Sequence, residues 1–127
     1  MPYDYDPQNI FARILRGEIP NKTVAESAHA LAFHDIGPQA PVHVLVIPKG
    51  AYVNLDHFSD AASDAEISDF WKLCAKVARD LGVAQGEGGA GYRAITNAGP
   101  DSHQEVPHFH IHLLAGRSLG SMLVRGV

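Results

Sequence analysis

The stretch "VPHFHIHLLAG", residues 106–116, sets three of the chain's 8 histidines at every second position. In a β-strand, alternate side chains share a face. The spacing therefore predicts His108, His110 and His112 in a row on one side of a sheet, with Phe109, Ile111 and Leu113 on the other. A row of imidazoles offers two chemistries. One is metal ligation. Alternate residues of a strand lie roughly 6.6 Å apart, so the outer pair is about 13 Å apart. Zinc holds imidazole nitrogens at about 2.0 Å, so three successive ligands converge only if the strand bends sharply. Two of them can ligate together, and Glu105 or His43 can complete such a site, which keeps metal ligation open.

The second chemistry is covalent. A neutral imidazole, with an ordinary pKa of about 6.5, has a free lone pair near neutral pH. It can attack phosphorus if a neighbour fixes its tautomer, while flanking imidazoles stabilise charge on the phosphoryl oxygens or protonate the departing group. A middle histidine as nucleophile with its neighbours as donors suits a row. One histidine on a solvated sheet face is ordinary; three at strict spacing call for a reason.

The rest of the chain bounds the setting. Its 127 residues make one domain large enough to bury a core. At 46% hydrophobic and 19% charged the composition is globular. The formal charge is −4 and no basic stripe appears, which argues against a duplex-binding protein but leaves a single nucleotide open. The lone Cys74 forms no internal disulfide, no apolar run reaches membrane-span length, and "MPYDYDPQN" is acidic and polar rather than a secretory leader. The expected location is a reducing cytoplasm, with no membrane contact.

The elements that must position the row follow from periodicity. Residues 1–8 read as a loose, flexible arm. "NIFARILRGEIP" reads as a short helix, with Ile10, Phe11, Ile14 and Leu15 at helical spacing, Asn9 as cap, and Gly17 and Pro20 as stops. "KTVAES", "ALAFHDI" and "PVHVLVIP" read as three strands. Ser63 and Glu66 form a capping box ahead of one long helix. Its apolar stripe runs Ile67, Phe70, Trp71, Cys74, Val77, Ala78 and Leu81, and Gly82 is its C-terminal stop. Phe70 and Trp71 are expected in the core or at a subunit contact. "QGEGGAG" lacks the lysine of a P-loop and reads as a connection. "YRAITNAG" and the histidine segment then form a hairpin around "PDSHQE". The expected fold is α+β: a five-stranded antiparallel sheet with one long helix on one face and a short N-terminal helix. One domain spans 1–127, with residues 117–127 as its C-terminal tail.

With these blocks assembled, the chain resembles the histidine triad (HIT) superfamily. "HFHIHLL" matches its His-x-His-x-His-x-x signature, and "IFARILRGEIP", "LAFHDIGPQAPVHVLVIPK" and "HQEVPHFHIHLLAGR" resemble the nucleotide-binding, purine nucleoside phosphoramidase branch in its bacterial form. The galactose-1-phosphate uridylyltransferase relatives carry glutamine where this chain has His112.

The resemblance implies that His110 takes up the nucleotidyl group, that the His108 carbonyl holds the His110 ring in the right tautomer, and that the His108 side chain sits beside His43. His112 would contact phosphate or the leaving group. Asp35 would bind the ribose hydroxyls; Phe11, Ile14, Phe33, His34 and Ile36 would line the purine pocket; Asn97 and Gln104 would contact the ribose-phosphate. Read alone, Asp35 is equally a turn residue, His43 a core histidine, Phe11 and Ile14 core residues, and Asn97 a hairpin residue. The implied activity is hydrolysis of the P–N bond of adenosine 5′-phosphoramidates, by a homodimer binding an AMP-like purine nucleotide, with no metal, no cofactor and no nucleic-acid polymer. A dinucleoside polyphosphate hydrolase and a nucleotide-binding adaptor are the rivals. Animal members carry glycine at the place of His103 and serine at that of Glu105, where a carboxylate would repel phosphate unless it meets an amine or turns away.

Overall fold

The computed structural model describes residues 3–124; Met1 and Pro2 of the arm and residues 125–127 of the tail lie outside the described residues. Asn9 caps the first helix, α1 (Ile10–Leu15), by accepting from the Ala12 amide. Three strands follow, β1 (Thr23–Glu26), β2 (Ala30–His34) and β3 (Val42–Pro48), then α2 (Leu55–Ala61), α3 (Asp64–Asp80), β4 (Arg93–Ile95) and β5 (Ile111–Ala115). All strand pairs are antiparallel and the sheet order is β1-β2-β3-β5-β4, so β5 inserts between β3 and the edge strand β4. The expected meander and terminal hairpin are both present.

Alternation divides the sheet into two faces. Ala30, Ala32, Val44, Val46, Ile111 and Leu113 point to one side and pack with Phe58, Phe70, Leu73, Cys74, Val77 and Phe109. Leu31, Phe33, Leu45 and Ile47 point to the other and pack with Phe11 and Ile14 of α1. The long helix begins with the capping box formed by Ser63 and Glu66. Past its C-cap Leu81, Gly82 takes φ +75°, the left-handed turn that ends a helix without a Cβ clash.

Three features go beyond the expected elements. The helix α2 has no counterpart among them; it is short, capped by Asn54, and holds one core residue of consequence, Phe58. Trp71, expected in the core or at a subunit contact, is 41% exposed, with its ring edge-on to Phe70 at the border of the stripe. The described part of the arm makes contacts with the domain. Tyr3 stacks on His57 with ring centroids 4.7 Å apart, and the Tyr5 hydroxyl lies 2.6 Å from His108 Nδ1.

Candidate active site

The histidine-bearing strand is shorter than its alternation suggests. β5 begins at Ile111, so of the three histidines only His112 lies in the ladder, and His108 and His110 sit on the irregular approach to it. His112 pairs opposite Leu45, and His43 lies two residues beyond Leu45 on the same face. That register sets His43 diagonally against His112, with Nε2 of one 2.9 Å from Nδ1 of the other. The expectation that the His108 side chain lies beside His43 is therefore corrected. His108 is at the opposite end of β3, where its Nε2 is 2.8 Å from the Pro48 carbonyl.

Backbone groups of fixed polarity decide every tautomer in the row. The Gln39 N–H donates to His43 Nδ1 at 3.0 Å, so the His43 proton is on Nε2 and is donated to His112 Nδ1. His112 then carries its own proton on Nε2. The His108 carbonyl lies 2.7 Å from His110 Nδ1, so His110 donates from Nδ1 and keeps a lone pair on Nε2. One residue thus presents a free lone pair and its neighbour, with ring centroids 5.0 Å away, a hydrogen-bond donor.

Burial keeps these rings neutral. Desolvation lowers His43 and His110 from the ordinary 6.5, with Asp35 opposing in both cases and the His108 carbonyl and Glu105 also opposing at His110. His108 and His112 are each pushed down to about 4, mainly by burial and further by the neighbouring imidazoles. The opposing carboxylates matter: each favours positive charge on the His110 ring.

Two adjoining cavities meet at this row. A cleft of about 410 Å³ is lined by Asp35, His43, Asn97, His103, Glu105, His110 and His112, among others. An apolar cavity of about 280 Å³ is lined by Phe11, Ile14, Phe33, His34, Asp35, Ile36, Glu105 and Val106, among others. Phe11, Asp35, Leu45, Glu105 and Val106 border both. The five residues expected at a purine pocket are thus brought to one cavity. Strand parity explains Asp35: it continues β2, donating its N–H to the His43 carbonyl at 3.0 Å, on the face of Leu31 and Phe33. Its Oδ1 accepts from the Gly37 amide, while Oδ2 lies 3.4 Å from His43 Nε2.

Gln104 is placed otherwise. Its amide nitrogen donates to the Val53 and Val106 carbonyls and its oxygen accepts from the Gly99 amide, so it braces the loop ahead of the row and lines neither cavity. None of the glycine-rich residues 85–91 lines either cavity. His103 and Glu105 do reach the cleft, and His103 holds a left-handed φ of 58° there. Two contributors went unread: the Gln39 amide, which a sequence does not signal, and Tyr5, whose only signal was the alternation in "YDYD". Among the described residues one group, Asp35, His43 and His112, brings potential metal-ligating atoms within 4.8 Å of one another.

Comparison with known proteins agrees with this fold. An uncharacterized 13.2 kDa HIT-like protein of Azospirillum brasilense is 58% identical, over 99% of this chain and all of that one. A protein of Escherichia coli K12 named purine nucleoside phosphoramidase is 40% identical over 91% of this chain and 93% of its own. A solved histidine triad protein from Clostridium difficile superposes with a TM-score of 0.78 at 38% identity, covering 93% of this chain and 98% of that one. The HIT domain model itself matches residues 16–119, from the end of α1 past β5, and the chain belongs to the HIT domain family.

Proposed function

We propose that the chain hydrolyses the P–N bond of purine, chiefly adenosine, nucleoside 5′-phosphoramidates through a nucleotidyl-histidine intermediate on His110. The observation that carries the reading is the 2.7 Å contact between His110 Nδ1 and the His108 carbonyl, which leaves Nε2 unprotonated at the cleft. In this reading the base enters the apolar cavity between Phe11, Phe33 and Ile36, and Asp35, at the junction of the two cavities, takes the ribose hydroxyls. His110 Nε2 attacks phosphorus, the P–N bond breaks, and the amine departs with a proton from water in the open cleft. The attacking ring becomes cationic. Its Nδ1–H holds the His108 carbonyl, and the Asp35 and Glu105 charges favour it. The His112 Nε2–H donates to the phosphoryl oxygens. Water then attacks phosphorus, losing its proton to the hydroxide left by the first step, the P–His110 bond breaks to return the neutral ring, and a nucleoside monophosphate leaves. The relative named a phosphoramidase supports the reaction class.

The cleft favours an amine over a polyphosphate leaving group. Its described lining carries the carboxylates Asp35 and Glu105 and no lysine or arginine. We assign a homodimer to the same reading: β4 is an edge strand, and Trp71 and Tyr92 are exposed at 41% and 45%. Analytical ultracentrifugation at micromolar concentration should then give twice the chain mass. A cytoplasmic location is also part of the reading, supported by the single thiol, Cys74, left free and buried. Among the described residues no helix is long and apolar enough to cross a membrane.

The test is single-turnover hydrolysis of an adenosine 5′-phosphoramidate bearing a fluorescent amine, run with excess chelator, for the native protein and His110→Ala. Cleavage by the native protein alone, unchanged by chelator, is the expected result. Faster cleavage of a diadenosine polyphosphate would transfer the assignment to that class. Loss of activity on chelation would assign the chemistry to a metal at Asp35, His43 and His112. AMP binding without cleavage of either substrate would leave an adaptor.

A further inference from the structure

His108 supplies the carbonyl that sets the His110 tautomer, yet it precedes β5 and has no strand ladder of its own. Its main-chain neighbourhood is held by isolated bonds: His108 N–H to the Val106 carbonyl at 2.9 Å, Phe109 N–H to the Tyr52 carbonyl at 2.7 Å, and Thr96 Oγ1 to the His110 carbonyl at 2.8 Å. What fixes the His108 ring is therefore of consequence for the nucleophile two residues on.

Both ring nitrogens of His108 are occupied, and the polarity of each bond is determined. The Pro48 carbonyl only accepts, so Nε2 carries the proton. The fully buried, neutral ring then has a lone pair on Nδ1, and the Tyr5 hydroxyl 2.6 Å away donates to it. The Tyr5 ring also stands edge-on to the imidazole, with centroids 5.6 Å apart. The arm is itself anchored: Arg16 Nη1 donates to the Pro7 carbonyl at 2.7 Å, and the Asn9 side chain donates to the Asp6 carbonyl at 2.7 Å. The same Asn9 caps α1, whose Phe11 ring packs edge-on against both His108 and His110.

We propose that Tyr5 is a positioning residue for His110: its hydroxyl pins the His108 ring, and the His108 carbonyl in turn holds the nucleophile's tautomer and aim. The arm is thus part of the catalytic scaffold. Tyr5 lines neither cavity, so it acts through His108 rather than on a substrate. The inference rests on His110 being the nucleophile of the proposed reaction. A nucleophile displaced by a fraction of an ångström attacks less often but leaves nucleotide binding intact.

Tyr3 provides an internal control, because it lies on the same arm and its hydroxyl bonds Asp56, at 3.3 Å, away from the row. On an adenosine phosphoramidate, Tyr5→Phe should lower kcat about tenfold with KM within about twofold, while Tyr3→Phe leaves both unchanged. Nitrogen-15 NMR of the histidines gives a reading independent of turnover. In the native protein His108 should carry its proton on Nε2 and His110 on Nδ1, and in Tyr5→Phe the His110 signal should become a mixture of tautomers. Three results would each overturn the proposal: native kcat in Tyr5→Phe, a kcat loss with the His110 tautomer intact, or a native protein whose His110 proton lies on Nε2. If the native protein cleaves no phosphoramidate, the functional reading fails and the NMR result alone decides the role of Tyr5.

Discussion

The two sides of the segment around β5 show how one stretch of chain can be stable on one face and reactive on the other. Phe109, Ile111 and Leu113 are 1%, 3% and 3% exposed and face α2 and α3, where they meet only apolar partners. His110 and His112 are also largely buried, but against Phe11, Leu45, one another and a cleft. On the first face burial does nothing but stabilise. On the second it also sets protonation, since desolvation is the leading cause that keeps every imidazole of the row neutral. The dry face supplies stability, and on the histidine face the lone pair is aimed by that face's own hydrogen bonds.

The sharpest way to test this division is to truncate neighbouring residues that point to opposite faces. Phe109→Ala should destabilise the fold by about 3–5 kcal/mol, through lost burial and the cavity left among Phe58 and Phe70. Its phosphoramidate turnover per folded molecule should change little. His110→Ala should do the reverse, removing about 10⁴-fold or more of single-turnover activity. Its melting temperature should stay close to native, because the lost ring bonds only the His108 carbonyl. Thermal melts and single-turnover rates on the two variants decide the matter; activity and stability falling together in both would break the comparison.

His112 lies between these extremes and should give the next effect in size. It accepts from His43 and, in the proposed reaction, donates to a phosphoryl oxygen. Removing one donor of that kind lowers rates by about 10²–10³-fold. His112→Ala should therefore lose about 10²-fold in kcat while still forming the nucleotidyl-His110 adduct, detectable by intact-protein mass spectrometry after rapid quenching. An adduct absent from both His110→Ala and His112→Ala would make the pair inseparable and the donor role wrong.

How far the sequence carried this picture depended on whether a signal was local. The alternation of Val42–Pro48 and the stripe of α3 encode their own faces, and the order of strands followed from short connections. Asp35 belongs with the row by parity along β2, a local fact again. The contact of His43 with His112 is different: it needs the register of β3 on β5, strands separated by more than sixty residues of chain, and no local pattern fixes that register. The resemblance named both residues but placed His43 beside His108, whereas the register, with the ladder beginning at Ile111, sets His43 against His112. Tyr5 escaped for the same kind of reason. An arm of Asp, Tyr, Pro and Gln has no period, and its order comes from bonds to Arg16, Asn9 and His108 that are made only in the folded chain. Trp71 marks another limit of local signals: helical phase places it at the border of the stripe, and nothing in the pattern says what covers that border.

The smallest effect is in pH dependence, and its sign separates the two roles of burial. His108 and His112 take up protons near 6.5 when unfolded and near 4 when folded. Between those values the unfolded chain binds more protons, so their contribution to stability is complete above about pH 6.5 and is lost as pH falls toward 4. Carboxylates act lower. Glu66 and Asp69 are held below their ordinary 4.5 and 3.8, by hydrogen bonds from Ser63 and Ser27 respectively, so what they contribute is lost only as pH falls through those values and below. A melting temperature that falls by several degrees between pH 6.5 and 5 therefore reports the histidines. Over the same interval kcat should fall less than it would for a histidine titrating at the ordinary 6.5, because burial lowers His110 as well and keeps its Nε2 lone pair free to lower pH. Calorimetry and single-turnover rates at matched pH measure both. Should kcat instead halve near pH 6.5 while the melting temperature holds, the nucleophile would be titrating as a solvent-exposed histidine, and burial on this face would have no part in its chemistry.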